Sequence, residues 1–148
     1  MKLDVDAAPI SAGSHYPEPF NDRCREIVRR RLAKAAGLKQ IGVNLLELPP
    51  GAWSSQRHWH TQEEEFVYVI AGEVVLVGAN GEEILRAGDC AAFPPGEAAS
   101  HHLQNRSASV ARVLEVGLAN LHDDERHYPD IDLHSTASGY FHKDGTPY

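Results

Sequence analysis

Two short motifs place three histidines and one glutamate where together they could bind a metal ion. The first contains His58, His60 and Glu65, and the second contains His101 followed by Asn105. Side chains alternate between the two faces of a β-strand, so His58 and His60 point the same way. Antiparallel pairing can bring Glu65 beside them, and His101 returns to the same place if the sheet curls round. Together they predict a metal centre.

Three imidazole nitrogens and one carboxylate oxygen suit Fe, Mn, Ni, Co, Cu or Zn better than Ca or Mg, which prefer oxygen ligands. The ligand set does not distinguish among these transition metals. Four protein ligands leave positions on an octahedral ion for water or substrate, which is the condition for catalysis. A closed zinc site is not indicated, because Cys24 and Cys90 lie far apart. We therefore predict one divalent transition metal ion, a small-molecule ligand or substrate, and no other cofactor.

The bulk composition narrows the class of protein. A chain of 148 residues fits one domain, and 42% apolar with 24% charged residues is typical of a soluble globular protein. The net charge of −7 argues against nucleic acid or an anionic membrane as partner. Two separated cysteines, no signal-peptide pattern and no membrane-length apolar stretch predict a cytoplasmic location.

The pattern of strands must position the four candidate ligands. Residues 41–117 contain short runs rich in Val, Ile, Leu, Phe and Tyr, separated by Gly, Pro and Asn. The runs flanking Ala79-Asn80-Gly81 predict a hairpin whose Asn80 and Gly81 both adopt positive φ angles. Many short strands that are apolar on both faces favour a closed all-β sandwich or barrel.

The two ends of the chain are predicted to be less regular. The prolines of the first twenty residues indicate an extended arm on the surface or on a second subunit. Residues 26–37 carry mixed strand and helix signals, with a helical turn that ends at Gly37. After Leu121 the chain is polar, and we expect loop with at most one hairpin.

The motifs resemble the two signature motifs of the cupin superfamily. The first is Gly51 through His58-Trp59-His60 and Glu65 to Gly72, and the second is Gly88 through Pro94-Pro95-Gly96 to His101 and Asn105. Two loops are longer than the family pattern, with six residues between Gly51 and His58 and four between Gly96 and His101. Glu64 therefore competes with Glu65, and His102 with His101. The distances to Gly72 and Asn105 select Glu65 and His101.

The outer segments resemble those of one subgroup of small bacterial cupins whose reaction is unassigned. These segments are Tyr16 to Phe20, Pro50 to Ser54 and Lys143 to Tyr148. The resemblance implies an all-β double-stranded β-helix, or jelly-roll barrel, at 38–118. It also implies an N-terminal arm and edge segment at 1–37, and an irregular tail at 119–148 that packs on the barrel or on a partner subunit. It further implies a homodimer.

For other residues near the motifs, the alternation of side chains along a strand predicts which face each one occupies. Gln56 shares the parity of His58 and could orient a bound substrate, whereas Arg57 faces outward or across a dimer. The aromatic residues Trp53, Trp59, Phe66 and Tyr68 are expected to pack against the sheet, and the alternative is that they line a substrate pocket. Glu63 and Glu64 are expected to form a solvated acidic turn, and the alternative is that one of them carries a proton near the metal.

The leading hypothesis is a metal-dependent enzyme of isomerase, lyase or decarboxylase type. Its substrate would be a small polar metabolite such as a sugar or a hydroxy or keto acid. The alternatives are an iron-dependent dioxygenase and a non-catalytic cupin module that binds or senses a small molecule. No catalytic acid or base is assigned.

Overall fold

The structure, a computed structural model, describes all residues 1–148 and is built almost entirely from short β-strands. The only α-helix is α1 (Leu32–Ala35), and two 3₁₀ helices cover Asp22–Cys24 and Glu97–Ala99. The strands are β1 (Ile10–Ala12), β2 (Val28–Arg31), β3 (Ile41–Leu48), β4 (Trp59–His60), β5 (Glu65–Ala71), β6 (Glu73–Gly78), β7 (Gly81–Arg86), β8 (Cys90–Phe93), β9 (His101–Gln104), β10 (Ala111–Leu118), β11 (Arg126–Tyr128), β12 (Leu133–Thr136) and β13 (Gly139–Phe141). The predicted all-β fold class is confirmed. None of the helices has the length and apolar character that a membrane span requires.

Three antiparallel sheets enclose one core. Their strand orders are β1-β2-β3-β10-β5-β8, β13-β12-β11-β4 and β7-β6-β9. Strand β5 shows how a sheet faces the core: Val67 and Val69 are buried, while Phe66, Tyr68 and Ile70, which alternate with them, are exposed. This period of two gives the sheet one face for the core and one outer face.

The β6–β7 hairpin is confirmed, but its turn differs from the predicted one. Gly78 pairs with Gly81, so the connection consists of Ala79 and Asn80. Gly81 has φ +131°, whereas Asn80 does not have a positive φ. Glycine supplies the unusual backbone angle, and the asparagine is not needed in that conformation.

The N-terminal residues contribute to the core instead of lying only on the surface. Strand β1 pairs with β2, which pairs with β3, so both extend the largest sheet. Tyr16, Cys24 and Ile27 are buried in the core cluster. The mixed signals of residues 26–37 are explained because β2 is followed directly by α1. The proposed boundaries at residues 37 and 118 stay a prediction.

The C-terminal segment, expected to be mostly loop, contains three paired strands. Strand β11 pairs with both β12 and β4, with Arg126 opposite His60 and His127 opposite Trp59. The tail thereby covers an edge of β4 that would otherwise carry unpaired backbone groups. It also brings residues 124–128 to the candidate ligands.

Candidate metal centre

The four predicted ligands lie in or directly beside three short stretches of strand that come together in the fold. His60 is in β4, Glu65 opens β5 and His101 opens β9. His58 precedes β4 and forms an isolated bridge with His101, with backbone hydrogen bonds in both directions. The sheet therefore closes on itself at these residues, as the sequence prediction requires.

The ligand atoms of His58, His60 and Glu65 all lie within 4.8 Å of one another, and His101 joins this group through its contact with Glu65. Glu65 Oε2 lies 3.8 Å from His58 Nε2, 3.3 Å from His60 Nε2 and 3.1 Å from His101 Nε2. His58 Nε2 and His60 Nε2 are 3.2 Å apart. We call these four residues the inner cluster. All three imidazoles are buried.

The outer nitrogen of each imidazole is held by an oxygen acceptor. His58 Nδ1 lies 2.9 Å from the Gln56 carbonyl, and His101 Nδ1 lies 2.9 Å from the Ala99 carbonyl. His60 Nδ1 lies 2.6 Å from Asp124 Oδ2. Because these oxygens only accept, each Nδ1 carries the proton and each Nε2 presents its lone pair to the centre. This tautomer is the one that metal-binding histidines adopt.

The inner cluster fits a metal ion on two further observations. Glu65 Oε2 is buried and has no hydrogen-bond partner, although three ring nitrogens surround it. Lone pairs that face one another across such short distances are stabilised by a cation between them. A metal with ligand distances of about 2.1 Å separates neighbouring donors at right angles by about 3.0 Å, close to the shorter separations here.

The electrostatics differ between two histidines of the cluster: burial alone would lower the pKa of His60, but Glu65 and then Asp124 outweigh it and raise that pKa. Burial lowers the pKa of His58 to about 3, so its ring is neutral at physiological pH. A neutral imidazole such as that of His58 need not lose a proton before it binds a metal, whereas the raised pKa of His60 makes metal binding there compete with protonation.

Asp124 is a functional candidate that the sequence analysis missed. Its carboxylate accepts hydrogen bonds from His60 Nδ1 and from the backbone N–H groups of Gln62 and Glu63, at 2.6, 2.8 and 3.1 Å. Such an outer carboxylate orients a histidine ligand and increases its basicity. In the sequence it stands in an acidic run of the tail, with no spacing signal that links it to His60.

Glu63 is also more than part of a solvated turn. Its Oε2 lies 3.3 Å from His60 Nδ1, on the same outer side of the ring as Asp124. Burial and then the neighbouring carboxylates of Glu65 and Asp124 raise the pKa of Glu63 to about 7, against the opposing charge of His60. Glu64, by contrast, is exposed.

The competing and neighbouring residues have other roles. His102 lies on the opposite face of β9, where its Nδ1 bonds to the Ser55 carbonyl. Gln56 does not face the cluster as predicted, because its side-chain amide donates to the Phe20 carbonyl and so holds the N-terminal segment. Arg57 pairs with Asp130 of the same chain through two hydrogen bonds of 2.7 and 2.6 Å.

The inner cluster lines a cavity of about 300 Å³. The N-terminal segment forms part of the wall, including Ser14 and His15, although the sequence analysis assigned His15 no role. The charged residues of the wall outside the cluster are Arg29, Glu63, Glu115 and Arg126. The cavity is therefore polar and of the size that small metabolites occupy.

A second group of potential ligands lies on the tail. Glu125 Oε2 is 3.1 Å from both His127 Nε2 and His134 Nε2, and we call these three residues the outer cluster. The two rings are stacked with their centroids 4.7 Å apart, and Trp59 stacks on His127. All three side chains are partly exposed.

Comparison with known proteins places these features in a family context. A sequence model of the cupin domain matches residues 44–117. A sugar phosphate isomerase of the cupin superfamily from Silicibacter pomeroyi is 41% identical, with a TM-score of 0.92 over 100% of this chain and 96% of that chain. A candidate sugar phosphate isomerase from Acidithiobacillus ferrooxidans is 30% identical, with a TM-score of 0.75 over 87% of this chain and 82% of that chain.

More distant structures share the fold alone. A predicted oxalate decarboxylase from Thermotoga maritima is 23% identical, with a TM-score of 0.66 over 81% of this chain and 100% of that chain. No curated protein sequence matches the chain.

Proposed function

The chain belongs to the cupin family, and from that premise we propose that it is a metal-dependent enzyme acting on a small polar metabolite. The observation that carries the proposal is the convergence of His58, His60, Glu65 and His101 at the wall of an open polar cavity. One divalent transition metal ion bound there would act as a Lewis acid on a substrate oxygen.

The chain's own residues prepare the site for that ion. The carbonyls of Gln56 and Ala99 and the carboxylate of Asp124 keep all three Nε2 atoms turned inward. Such orientation before binding lowers the entropic cost of assembling the site. The cavity wall beside the cluster leaves room for a substrate next to the ion.

Among isomerase, lyase and decarboxylase chemistry, we favour the isomerisation of a sugar. The support is that the 41% identical relative is a sugar phosphate isomerase and that it aligns with the whole of this chain. An aldose–ketose isomerase moves a proton between adjacent carbons of a hydroxy-carbonyl compound, and a metal that binds both oxygens facilitates this transfer.

The test begins with tag-free protein and a measurement of metal per chain by mass spectrometry. Metal-loaded protein is then incubated with aldose phosphates, and ketose formation is followed by NMR. We expect near-stoichiometric metal and turnover that His60→Ala abolishes without unfolding the chain. The matched control is His134→Ala in the outer cluster, which should retain turnover.

The other results would identify an alternative. Bound iron with oxygen consumption would favour a dioxygenase. Metabolite binding without turnover would favour a binding or sensing module. Failure to bind Mn, Fe, Ni or Zn after reconstitution would contradict the metal-dependent proposal itself.

The homodimer stays a prediction, and one surface supports it. Phe66, Tyr68 and Ile70 project from the outer face of β5 and are exposed. A row of large apolar side chains of this kind is typical of a protein contact surface. Analytical ultracentrifugation at micromolar concentration should show a dimer, and a monomer would contradict the prediction.

A further inference from the structure

Arg126 is a charged group of the cavity wall that has no ion-pair partner. The other arginine of the wall, Arg29, is neutralised by Glu115 through hydrogen bonds of 2.8 and 3.0 Å. Arg126 forms no such salt bridge; the charge of Glu63 acts on it only from a longer distance. The cavity thus contains one guanidinium that is free to bind an anion.

The strand register turns Arg126 towards the inner cluster. Arg126 in β11 is directly opposite His60 in β4, and directly opposed residues share a face of the sheet. Tyr128, two residues further along β11, is buried in the core, which identifies this face as the inner one. Arg126 itself is exposed, and it also lines the cavity.

Three tyrosines lie beside Arg126. Tyr16 and Tyr140 line the cavity, and their ring centroids are 5.6 Å apart. Tyr128 packs edge-on against Tyr16, at 5.7 Å between centroids, and its buried hydroxyl has no hydrogen-bond partner in the chain. Tyr128 does not line the cavity, so only Tyr16 and Tyr140 can present their hydroxyls to a ligand bound there.

We infer that Arg126 and the hydroxyls of Tyr16 and Tyr140 form a subsite for the phosphate of a phosphorylated sugar whose reacting end lies at the inner cluster. The inference rests on the proposed function and specifies its substrate class. A guanidinium binds a phosphate monoester through two parallel charge-assisted hydrogen bonds, and tyrosine hydroxyls can donate to its remaining oxygens. Because His60 is opposite Arg126, one small molecule can contact both sites.

The test is calorimetric titration of the metal-loaded protein with ribose 5-phosphate and with ribose. The variants are Arg126→Gln, Arg126→Lys and, as a matched control, Arg31→Gln. Arg31 is also an arginine without a salt bridge, but it is exposed at the end of β2, outside this cavity. Bound metal is measured for each variant before titration.

We expect the wild type to bind ribose 5-phosphate more tightly than ribose. Arg126→Gln should weaken ribose 5-phosphate binding by roughly 10- to 100-fold, the contribution of hydrogen bonds to a charged group. It should leave ribose binding and metal content unchanged. Arg126→Lys should recover part of the loss, and Arg31→Gln should match the wild type.

The outcomes separate this inference from the proposed function. Equal affinity for ribose and ribose 5-phosphate, or an Arg126→Gln variant that binds ribose 5-phosphate normally, would overturn the phosphate subsite and leave a metal-dependent sugar enzyme intact. If the wild type binds metal but neither probe, the sugar proposal and the subsite are both overturned.

Discussion

The inner and outer clusters contain the same chemical groups, yet they differ in what those groups face. In the inner cluster the imidazole side chains are 6% to 9% exposed, and each Nδ1 is bound to an outer oxygen. In the outer cluster His127, His134 and Glu125 are 35%, 24% and 43% exposed. The proximity of histidines and a carboxylate is therefore not sufficient to define a metal site.

The hydrogen-bond partners explain the difference. In the outer cluster, the Nε2 groups of His127 and His134 donate to Glu125 Oε2, so the three residues satisfy one another without a metal. In the inner cluster Glu65 Oε2 has no hydrogen bond although it is buried. A buried carboxylate oxygen without a hydrogen bond is unfavourable unless a bound ligand or cation interacts with it. We expect the inner cluster alone to bind metal tightly.

The largest effect should follow from removing an inner ligand. His101→Ala, like His58→Ala, removes one of the four donor atoms. We expect metal affinity to fall by more than about 100-fold, because the loss of a residue that only hydrogen-bonds to a ligand already lowers metal affinity by about 10- to 100-fold. Competition with a chelator dye measures the affinity, and circular dichroism checks that the fold persists. Unchanged affinity in a folded variant would mean that the four residues are not the ligand set.

A smaller effect should follow from changing the outer partner of His60. Asp124→Asn keeps an oxygen that can accept from Nδ1 but removes the negative charge. We expect a 10- to 100-fold loss of metal affinity, measured by the same competition. Metal binding equal to that of the wild type would show that Asp124 only supports the backbone of residues 62 and 63.

The smallest effect should follow from a change in the outer cluster. His134→Ala removes a partly exposed hydrogen bond, so the free energy of unfolding should fall by less than about 1 kcal/mol. Metal per chain should be the same as in the wild type. A loss of one bound ion would contradict the distinction between the two clusters and identify a second metal site.

Sequence patterns within single strands and turns predicted much of the fold. The alternation in β5 and the turn residues near Gly81 are local signals, and both elements are present. Strands β11 to β13 carry no such signal, because strands of three or four residues are too short to show a period. They exist because β4 offers an edge with which β11 can pair.

The sequence by itself determined the four candidate ligands and the cupin family, because strand parity and motif spacing are local and place His58, His60, Glu65 and His101 in one set. Only the tertiary structure decided what surrounds them. Asp124 and Arg126 approach His60 through the β4–β11 pairing, across more than sixty residues of chain. Contacts between such distant segments leave no spacing pattern, so the partners that orient the cluster and the proposed anion subsite emerge from the folded chain.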